Sequence, residues 1–251
     1  MIRFSLFASL LCLNALSYGI NLPAYTALYQ AEWRGGWIPV SVAAVRNFSP
    51  VDNGIWSLSF KADSIVVDLN ESSDLIVKDG ILYPQYYHYK TKGMFENTKL
   101  ERRFEWDSQR IFDLTSNQYW DIELQPGMQD NISYQEQLRF DLANKVDELV
   151  YPVVYRGKIK TYIFNRYQEG SLKTPNGEIN TIEVHQVINE DNNIQTKMWF
   201  AVDYDYVLVR LWQKRKNGDE QEITLQRYDS GGKQLNVYNE IKSKNNTGKK
   251  P

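Results

Sequence analysis

The two histidines, His88 and His185, are the side chains of this sequence best suited to acid–base or metal chemistry. His88 lies in the run Tyr86-Tyr-His-Tyr89 and His185 in the run Ile182-Glu-Val-His-Gln-Val, and both runs alternate as a strand does. Metal sites built on histidine usually show short spacings between ligands, and neither histidine has a second histidine or a cysteine close by in sequence. We therefore predict that both histidines lie on sheet faces and that the protein holds no metal.

Paired carboxylates are the other residues that could do chemistry, because glycosidases use two carboxyl groups about 5–10 Å apart. Asp121 and Glu123 are two positions apart in an alternating run, and Asp203 and Asp205 are two apart beside a turn. Residues two apart on a strand lie roughly 7 Å from each other, so the spacing fits. A chain with 31 acidic residues contains such pairs by chance. We assign these pairs to solvated faces and turns, and predict no catalytic residue.

Motifs for nucleotide binding and acyl transfer are missing from the sequence. The Gly-Gly pairs at 35–36 and 231–232 lack the Lys-Ser/Thr of a phosphate-binding loop, and there is no G-x-S-x-G nucleophile turn. The single cysteine, Cys12, excludes an intramolecular disulfide framework and a cysteine-based metal centre. The sequence therefore predicts a protein that is not an enzyme and has no cofactor.

The composition is that of a folded, nearly neutral protein rich in aromatic residues. Hydrophobic residues make up 42% and aromatic residues 14% of the 251 residues, and the formal net charge is −2. That charge excludes a strongly basic surface for nucleic acid and an acidic, self-repelling disordered chain. The abundant Tyr, Trp and Phe either fill a β core or line a binding site.

The first 19 residues have the layout of a secretory signal peptide. Arg3 precedes an apolar run from Phe4 to Leu13, and small residues follow between Ala15 and Gly19. We predict cleavage near residues 17–19, which also removes Cys12; an uncleaved anchor is the alternative. The apolar run is too short to span a membrane comfortably, and no later segment is apolar enough to do so. Residues 20–240 then form one β-rich domain, and residues 241–251 a disordered basic tail.

Hydrophobic residues recur mainly with period two from Tyr25 onward, which predicts strands. The predicted strands lie at 25–34, 37–46, 56–60, 65–70, 81–90, 99–106, 119–124, 158–168, 179–188, 199–202, 206–212 and 221–228. Turn signals such as Asp52-Asn53-Gly54 and Lys78-Asp79-Gly80 separate them, as in successive antiparallel hairpins. The fold class is therefore mainly β, with one long, curled antiparallel sheet.

One helix interrupts this rhythm at 131–143. Its apolar residues Tyr134, Leu138 and Leu142 recur every four positions, and Asp130 or Asn131 can cap its first turn. The apolar stripe must pack against another element, and a sheet face is the available partner. We therefore expect the helix to lie in or across the concave side of the sheet.

Several short motifs follow one another along the chain in a characteristic order. The motif around the helix is Gln129-Asp130-x-x-Ser133-x-x-x-Gln137-Leu138-Arg139. The others are Tyr29-x-x-x-Trp33-x-Gly35, Tyr83-Pro84-x-Tyr86, Phe104-x-Trp106-Asp107, Thr174-Pro175-x-Gly177, Lys197-Met-Trp199-Phe-Ala201 and Val207-Leu-Val209-Arg210. In this order the motifs resemble the DUF3108 family of exported bacterial proteins of unassigned function, and the resemblance covers most of residues 25–228. It implies a periplasmic location and a half-open barrel like that of lipoprotein carriers, with a helix covering its mouth.

We hypothesise that the protein is a periplasmic, non-enzymatic binding protein for an apolar or lipid-like ligand or a lipoprotein. The candidate ligand-binding residues, drawn from the helix and the family-like motifs, are Tyr86, Tyr134, Leu138, Trp199 and Arg210. The alternative is an envelope-associated module that binds glycan or a partner protein through exposed aromatic residues, with Tyr119, Trp120 and the run 86–89 as candidates. Aromatic side chains directed into one cavity would favour the first function, and aromatic side chains on a convex surface the second.

The polar residues of the helix motif are interpreted as structural. Gln129, Asp130 and Ser133 precede or open the helix, and Asp130 serves as its cap. Arg139 is either the ion-pair partner of Asp130 or a solvated residue of the helix. A catalytic role for Asp130, Arg139 and Arg210 is the weaker alternative.

Overall fold

The computed structural model describes residues 23–35, 40–65, 67–93, 97–190 and 193–237. The predicted export segment at 1–19, Cys12 and the predicted tail at 241–251 lie outside these residues. The described part of the chain forms fifteen strands and one helix. That helix is not long and apolar enough to cross a membrane. In chain order the elements are β1 (Tyr25–Arg34), β2 (Val40–Pro50), β3 (Ile55–Asp63), β4 (Val67–Lys78), β5 (Ile81–Gly93), β6 (Thr98–Glu105), β7 (Arg110–Asp113), β8 (Gln118–Tyr119), α1 (Ser133–Ala143), β9 (Leu149–Tyr155), β10 (Lys158–Thr174), β11 (Gly177–Gln186), β12 (Gln195–Ala201), β13 (Val207–Lys214), β14 (Glu220–Asp229) and β15 (Gln234–Asn236).

All of the described strands belong to one antiparallel sheet. Successive pairings lead from β1 to β8 in one half and from β9 to β14 in the other, and the halves join where β1 pairs with β14. The short strand β15 adds to β14, and β8 and β9 form the two edges, so the sheet is not closed. The predicted fold class, one large open antiparallel sheet with a single helix, is confirmed.

The sheet curls around helix α1. The segment before the helix adjoins β9 through a bridge between Gln129 and Val153. The helix also meets the other half of the sheet, because Tyr25 of β1 and Arg46 of β2 both bond the side chain of Glu136. Strands from both halves can contact one helix only if the sheet bends around it. The helix therefore lies inside the concavity.

Strand β5 shows how the alternating sequence divides the aromatic residues between the two faces. Tyr87 is fully buried and Tyr89 faces the interior, whereas Tyr86 and His88 lie on the opposite face and contact Glu101. Successive side chains of a strand point to opposite faces, so a run of neighbouring aromatics cannot form one continuous surface.

Two of the predicted turns take the backbone conformation that their residues favour. Asn53 and Gly54 have φ angles of +52° and +79°, and Asp79 and Gly80 have φ angles of +52° and +80°. Left-handed angles at both central positions are those of a type I′ turn, which matches the twist of a two-stranded hairpin. Asn, Asp and Gly adopt left-handed backbone angles at little cost, so these short sequences determine where β3 and β5 begin.

The prediction of a strand at 119–124 is wrong, because β8 ends at Tyr119. Beyond it the backbone keeps separate hydrogen bonds to the neighbourhood of β7, with Trp120 N 3.0 Å from the oxygen of residue 111 and Leu124 N 2.9 Å from that of residue 109. Ile122 and Leu124 are nevertheless 8% and 1% exposed. Their alternation with polar residues reflects packing of an irregular segment into the core, and not a ladder.

Helix α1 begins at Ser133, slightly later than predicted, and is buried on both sides. The predicted stripe of Tyr134, Leu138 and Leu142 packs against β9–β13 in one apolar cluster. On the other side, Phe140 belongs to a second cluster, built mainly by β1–β7 and the segment before the helix. The helix therefore separates the interior into two apolar regions.

Candidate ligand-binding cavity

A cavity of about 450 Å³ lies on the inner face of β1–β6. Its volume falls within the roughly 300–1,000 Å³ that ligand pockets usually occupy. Its wall is largely apolar and includes Val40, Val42, Phe60, Leu69, Leu100 and Ile223. Tyr155 and Arg156, from the turn between β9 and β10, and Asn131, from the segment before α1, line its other side.

The pairing register of the strands determines which residues form the inner wall of the cavity. Phe60, Glu71, Tyr89 and Leu100 are paired in sequence across β3, β4, β5 and β6, and all four line the cavity. Residues paired directly across neighbouring strands share a face, so one row of four residues forms a continuous strip. Three of them are apolar or aromatic, and Glu71 is the exception.

Glu71 belongs to a hydrogen-bonded group at the inner end of the cavity. Tyr87 donates its hydroxyl hydrogen to Glu71 Oε1 at 2.7 Å, and Asn131 Nδ2 donates to the Tyr87 hydroxyl at 3.2 Å. All three residues line the cavity. Glu71 Oε2 has no hydrogen-bond partner in the described part of the chain. Asn131 Oδ1 is buried and likewise has none among the described residues.

Burial decides the ionisation of this group. Burial raises the pKa of Glu71 to about 7, and the nearby charge of Asp130 acts in the same direction. The hydrogen bond from Tyr87 and the positive charges of Arg46 and Arg102 oppose that rise in pKa. Glu71 is therefore a carboxyl group that changes charge near neutral pH while facing an apolar cavity.

Asp130 and Ser133 fix the start of the helix beneath this end of the cavity. Asp130 Oδ1 accepts the backbone N–H groups of Ile132 and Ser133 at 2.9 and 2.8 Å. Ser133 Oγ accepts the backbone N–H of Asp130 at 2.8 Å, so the two residues cap each other. Ser73 of β4 donates to Asp130 Oδ2, and burial raises the pKa of Asp130. Asp130 thus joins the helix start to the sheet.

Gln129 and Gln137 hold the helix segment against the start of β5. Gln129 Nε2 donates to the carbonyl oxygen of Leu82 at 2.9 Å, and the backbone N–H of Leu82 donates to Gln137 Oε1 at 2.8 Å. Gln137 Nε2 also donates to the carbonyl oxygen of Gly80 at 3.0 Å. Both glutamines of the family-like motif therefore serve the backbone of one strand.

Arg139 is neither solvated nor paired with Asp130, which corrects both sequence-based interpretations of this residue. It is 4% exposed and pairs with Glu136 at 2.5 Å, while its Nε donates to the carbonyl oxygen of Asp205 at 2.7 Å. Glu136 also accepts the hydroxyl of Tyr25 at 2.9 Å and lies 3.4 Å from Arg46 Nη2. One buried carboxylate thus serves two buried guanidinium groups, an arrangement that sequence reasoning missed because helix spacing alone does not show burial.

The five residues predicted to bind ligand lie in three different places, and none of these described residues lines the cavity. Tyr134 and Leu138 are packed in the cluster between α1 and β9–β13. Tyr86 donates its hydroxyl to Glu101 on the outer face of β5. Trp199 and Arg210 are paired across β12 and β13, with the guanidinium 4.8 Å from the ring centroid.

The histidines and the carboxylate pairs have structural neighbours. His88 Nδ1 lies 3.4 Å from Glu101, and His185 Nε2 lies 2.6 Å from Glu183. Asp121 and Glu123 are exposed in the irregular segment after β8. Asp205 accepts hydrogen bonds from Tyr228, Ser230 and Lys233. Within the described residues, no three His, Cys, Asp or Glu side chains cluster closely enough to hold a metal ion.

The fold and the cavity together define an open, curled antiparallel sheet that encloses a helix and an apolar-walled pocket. A model of the family described as "Protein of unknown function (DUF3108)" matches residues 28–226, so the chain belongs to the DUF3108 family. The resemblance inferred from the motif order is thereby confirmed. No curated protein sequence matches the chain.

Among solved structures, a beta-barrel-like protein of the DUF1849 domain from Brucella abortus is similar to this fold. It has a TM-score of 0.54 at 8% sequence identity, and the match covers 87% of this chain and 99% of that chain. A domain described as an outer membrane lipoprotein-sorting protein, from Vibrio parahaemolyticus, gives a TM-score of 0.26 at 8% identity over 82% and 85% of the two chains. A DUF1329 protein from Desulfovibrio piger gives 0.28 at 8% identity over 83% and 86%. The first match shows a shared fold, and the other two are too distant in structure to support a conclusion.

Proposed function

We propose that this protein is a periplasmic, non-enzymatic binding protein that holds an apolar or lipid-like ligand, free or as part of a lipoprotein, in the cavity inside its sheet. The observation that carries the proposal is the cavity of about 450 Å³ with its largely apolar wall. Aromatic residues from distant parts of the chain, Trp33, Phe60, Tyr89 and Tyr155, line that one space. Their convergence supports a binding site more than a surface for partners.

The apolar wall is large enough to supply useful affinity. Burying about ten methylene groups contributes roughly 8 kcal/mol at about 0.8 kcal/mol each. That corresponds to a dissociation constant of about 1 μM before the cost of ordering the chain is subtracted. A ligand of this kind needs few specific polar contacts. The proposed export, supported by the sequence of residues 1–19, would place it in an aqueous compartment where a lipid chain needs cover.

A matched pair of substitutions on β2 tests the location. Val42 lines the cavity, whereas Ala43, the next residue, is exposed on the other face of the sheet. Val42→Trp should fill part of the cavity and weaken binding of the apolar dye N-phenyl-1-naphthylamine at least about tenfold in a fluorescence titration. Ala43→Trp should leave the dissociation constant within about twofold, because it adds the same ring outside the cavity.

The proposal is rejected if the wild-type protein does not bind the dye and lipid extracts of the purified protein contain no bound lipid. It is also rejected if the two tryptophan variants bind the dye equally well. Circular dichroism of both variants checks that the sheet is intact.

The alternative, an envelope-associated module that binds glycan or a partner protein, is supported by aromatics on the outer surface. Tyr167 is 63% exposed and stacks on His185 with ring centroids 4.2 Å apart. Tyr119 is 41% exposed beside Arg110. Retention of the protein on peptidoglycan or lipopolysaccharide, lost on Tyr167→Ala, would favour this alternative over the cavity.

A further inference from the structure

We infer that the inner end of the cavity selects amphiphiles whose head group donates hydrogen bonds, an ammonium or a hydroxyl, with Glu71 and Asn131 as the acceptors. This inference rests on the proposed function, because it concerns the ligand of the same cavity. It adds an orientation, with the head group bound at the inner end and the chain lying along the apolar wall towards the mouth.

The hydrogen bonds at the inner end leave two side-chain oxygens, one of them on a carboxyl group, available to a ligand. The single hydroxyl hydrogen of Tyr87 goes to Glu71 Oε1 at 2.7 Å, and Asn131 Nδ2 donates to the oxygen of Tyr87 at 3.2 Å. Glu71 Oε2 and Asn131 Oδ1 have no donor in the described part of the chain. Asn131 Oδ1 is buried, and a buried polar atom without a partner is costly. Glu71 is half-buried, and its carboxylate oxygen accepts hydrogen bonds and attracts positive charge. A ligand that donates to these two oxygens is therefore favoured over one that does not.

The charged groups around Glu71 do not reverse this preference. Arg46 is occupied by Tyr25, Gln135 and Glu136 below the cavity. Arg102 stacks on the ring of Tyr87, with the guanidinium carbon 5.1 Å from the ring centroid. Its buried Nε and Nη1 have no hydrogen-bond partner among the described residues, but Arg102 is not part of the cavity lining. Asp130 is likewise outside the lining, and its negative charge acts on Glu71 in the sense opposite to the charges of Arg46 and Arg102.

Two arginines at the cavity lining could attract an anionic head group instead. Arg156 and Arg215 are exposed and stack on Tyr155 and Trp33, with ring distances of 5.5 and 5.4 Å. Exposed ion pairs contribute little because water and salt screen them, whereas a bond to a poorly solvated carboxylate is screened much less. The inner carboxyl therefore outweighs the exposed arginines in setting the preferred head group.

The test compares three C12 amphiphiles, dodecylamine, dodecan-1-ol and dodecanoate, as competitors of N-phenyl-1-naphthylamine at pH 8. Above about pH 7 Glu71 is charged, so dodecylamine should bind at least about tenfold more tightly than dodecanoate, with dodecanol between them. Glu71→Gln should remove most of the preference for the amine, measured as the ratio of the dodecylamine and dodecanoate dissociation constants within that variant. Glu169→Gln, an exposed carboxyl on β10, is the matched control and should keep the wild-type preference.

The possible outcomes distinguish the head-group preference from the proposed function on which it depends. Equal binding of the three amphiphiles, or tighter binding of dodecanoate, overturns the head-group inference while the cavity function stands. An unchanged preference for the amine in Glu71→Gln overturns the role of Glu71. Failure of the wild-type protein to bind the dye and all three amphiphiles instead rejects the proposed function itself.

Discussion

Glu71 is the cavity residue whose chemistry matters most for the properties of the protein. It occupies an inward-facing position of β4, between the apolar Leu69 and the buried Ser73. A carboxyl group placed among apolar neighbours is poorly solvated, so its protonated form is favoured. The same residue therefore bears on ligand choice and on the stability of the fold.

The stability of the protein should fall as Glu71 ionises. Burial raises the pKa of Glu71 from 4.5 to about 7 in the folded chain. Folding therefore favours the protonated form; its contribution is complete below about pH 4.5 and is lost as the pH rises through about 7. At about 1.4 kcal/mol per pKa unit, the loss amounts to about 3 kcal/mol. Glu71→Gln, which cannot ionise, should remove this part of the pH dependence.

Urea unfolding at pH 4.5 and pH 8 measures the effect. The difference in unfolding free energy between wild type and Glu71→Gln isolates Glu71 from other groups with raised pKa values, such as Asp130 and Asp141. Glu169→Gln should follow the wild type. A difference that does not change between the two pH values would contradict the burial of Glu71.

Neither the position of Glu71 in the cavity nor its raised pKa could be predicted from the sequence alone. The alternating positions Val67, Leu69, Glu71, Ser73 and Leu75 include two polar residues, and the charge of Glu71 is the available signal. Its meaning depends on which face of the strand is inward and on which residues of β5 lie opposite. Those facts come from the register of the sheet, and 31 acidic residues offer many equal candidates.

At the scale of elements, the helix is held by polar contacts to strands β1 and β2. Glu136 joins α1 to β1 through Tyr25 and to β2 through Arg46, and within the helix it pairs with Arg139. Burying charged groups is costly, and the cost is offset only while every partner is present. This cluster therefore makes the position of the helix sensitive to one side chain.

Glu136→Ala should lower the free energy of unfolding by about 3–5 kcal/mol, the usual cost of removing one member of a buried ion pair. The substitution leaves Arg46 and Arg139, at 5% and 4% exposure, without their shared carboxylate. Chemical denaturation measures the change. Glu169→Ala, at an exposed position, should cost less than about 0.5 kcal/mol. A loss below about 1 kcal/mol for Glu136→Ala would show that the cluster does not hold the helix.

Elements with local signals were predicted better than those that depend on packing. The helix was predicted because Tyr134, Leu138 and Leu142 recur with its period, and its start shifts to Ser133 because Asp130 caps from outside the helix. The strand at 119–124 was wrong because burial of Ile122 and Leu124 produces the same alternation without a ladder.

At the scale of the whole molecule, the sequence indicates one curled antiparallel sheet but not how its halves join. The pairing of β1 with β14 connects residues about 200 positions apart, and no local pattern specifies it. The cavity depends on that pairing, because Ile223 of β14 and Trp33 of β1 line it together with residues of β2–β6. The predicted ligand residues Tyr134 and Leu138 lie on the other side of the helix, where side chains fill the space.

Photo-cross-linking tests the central claim, that an apolar chain lies inside the sheet against β1–β6, most directly. A long-chain alcohol with a diazirine in the middle of its chain would be bound, irradiated and located by mass spectrometry of the digested protein. We predict adducts on the cavity wall, at Phe60, Leu69 or Leu100. Adducts confined to the outer face around Trp199, or to the packed region around Tyr134, would contradict the account.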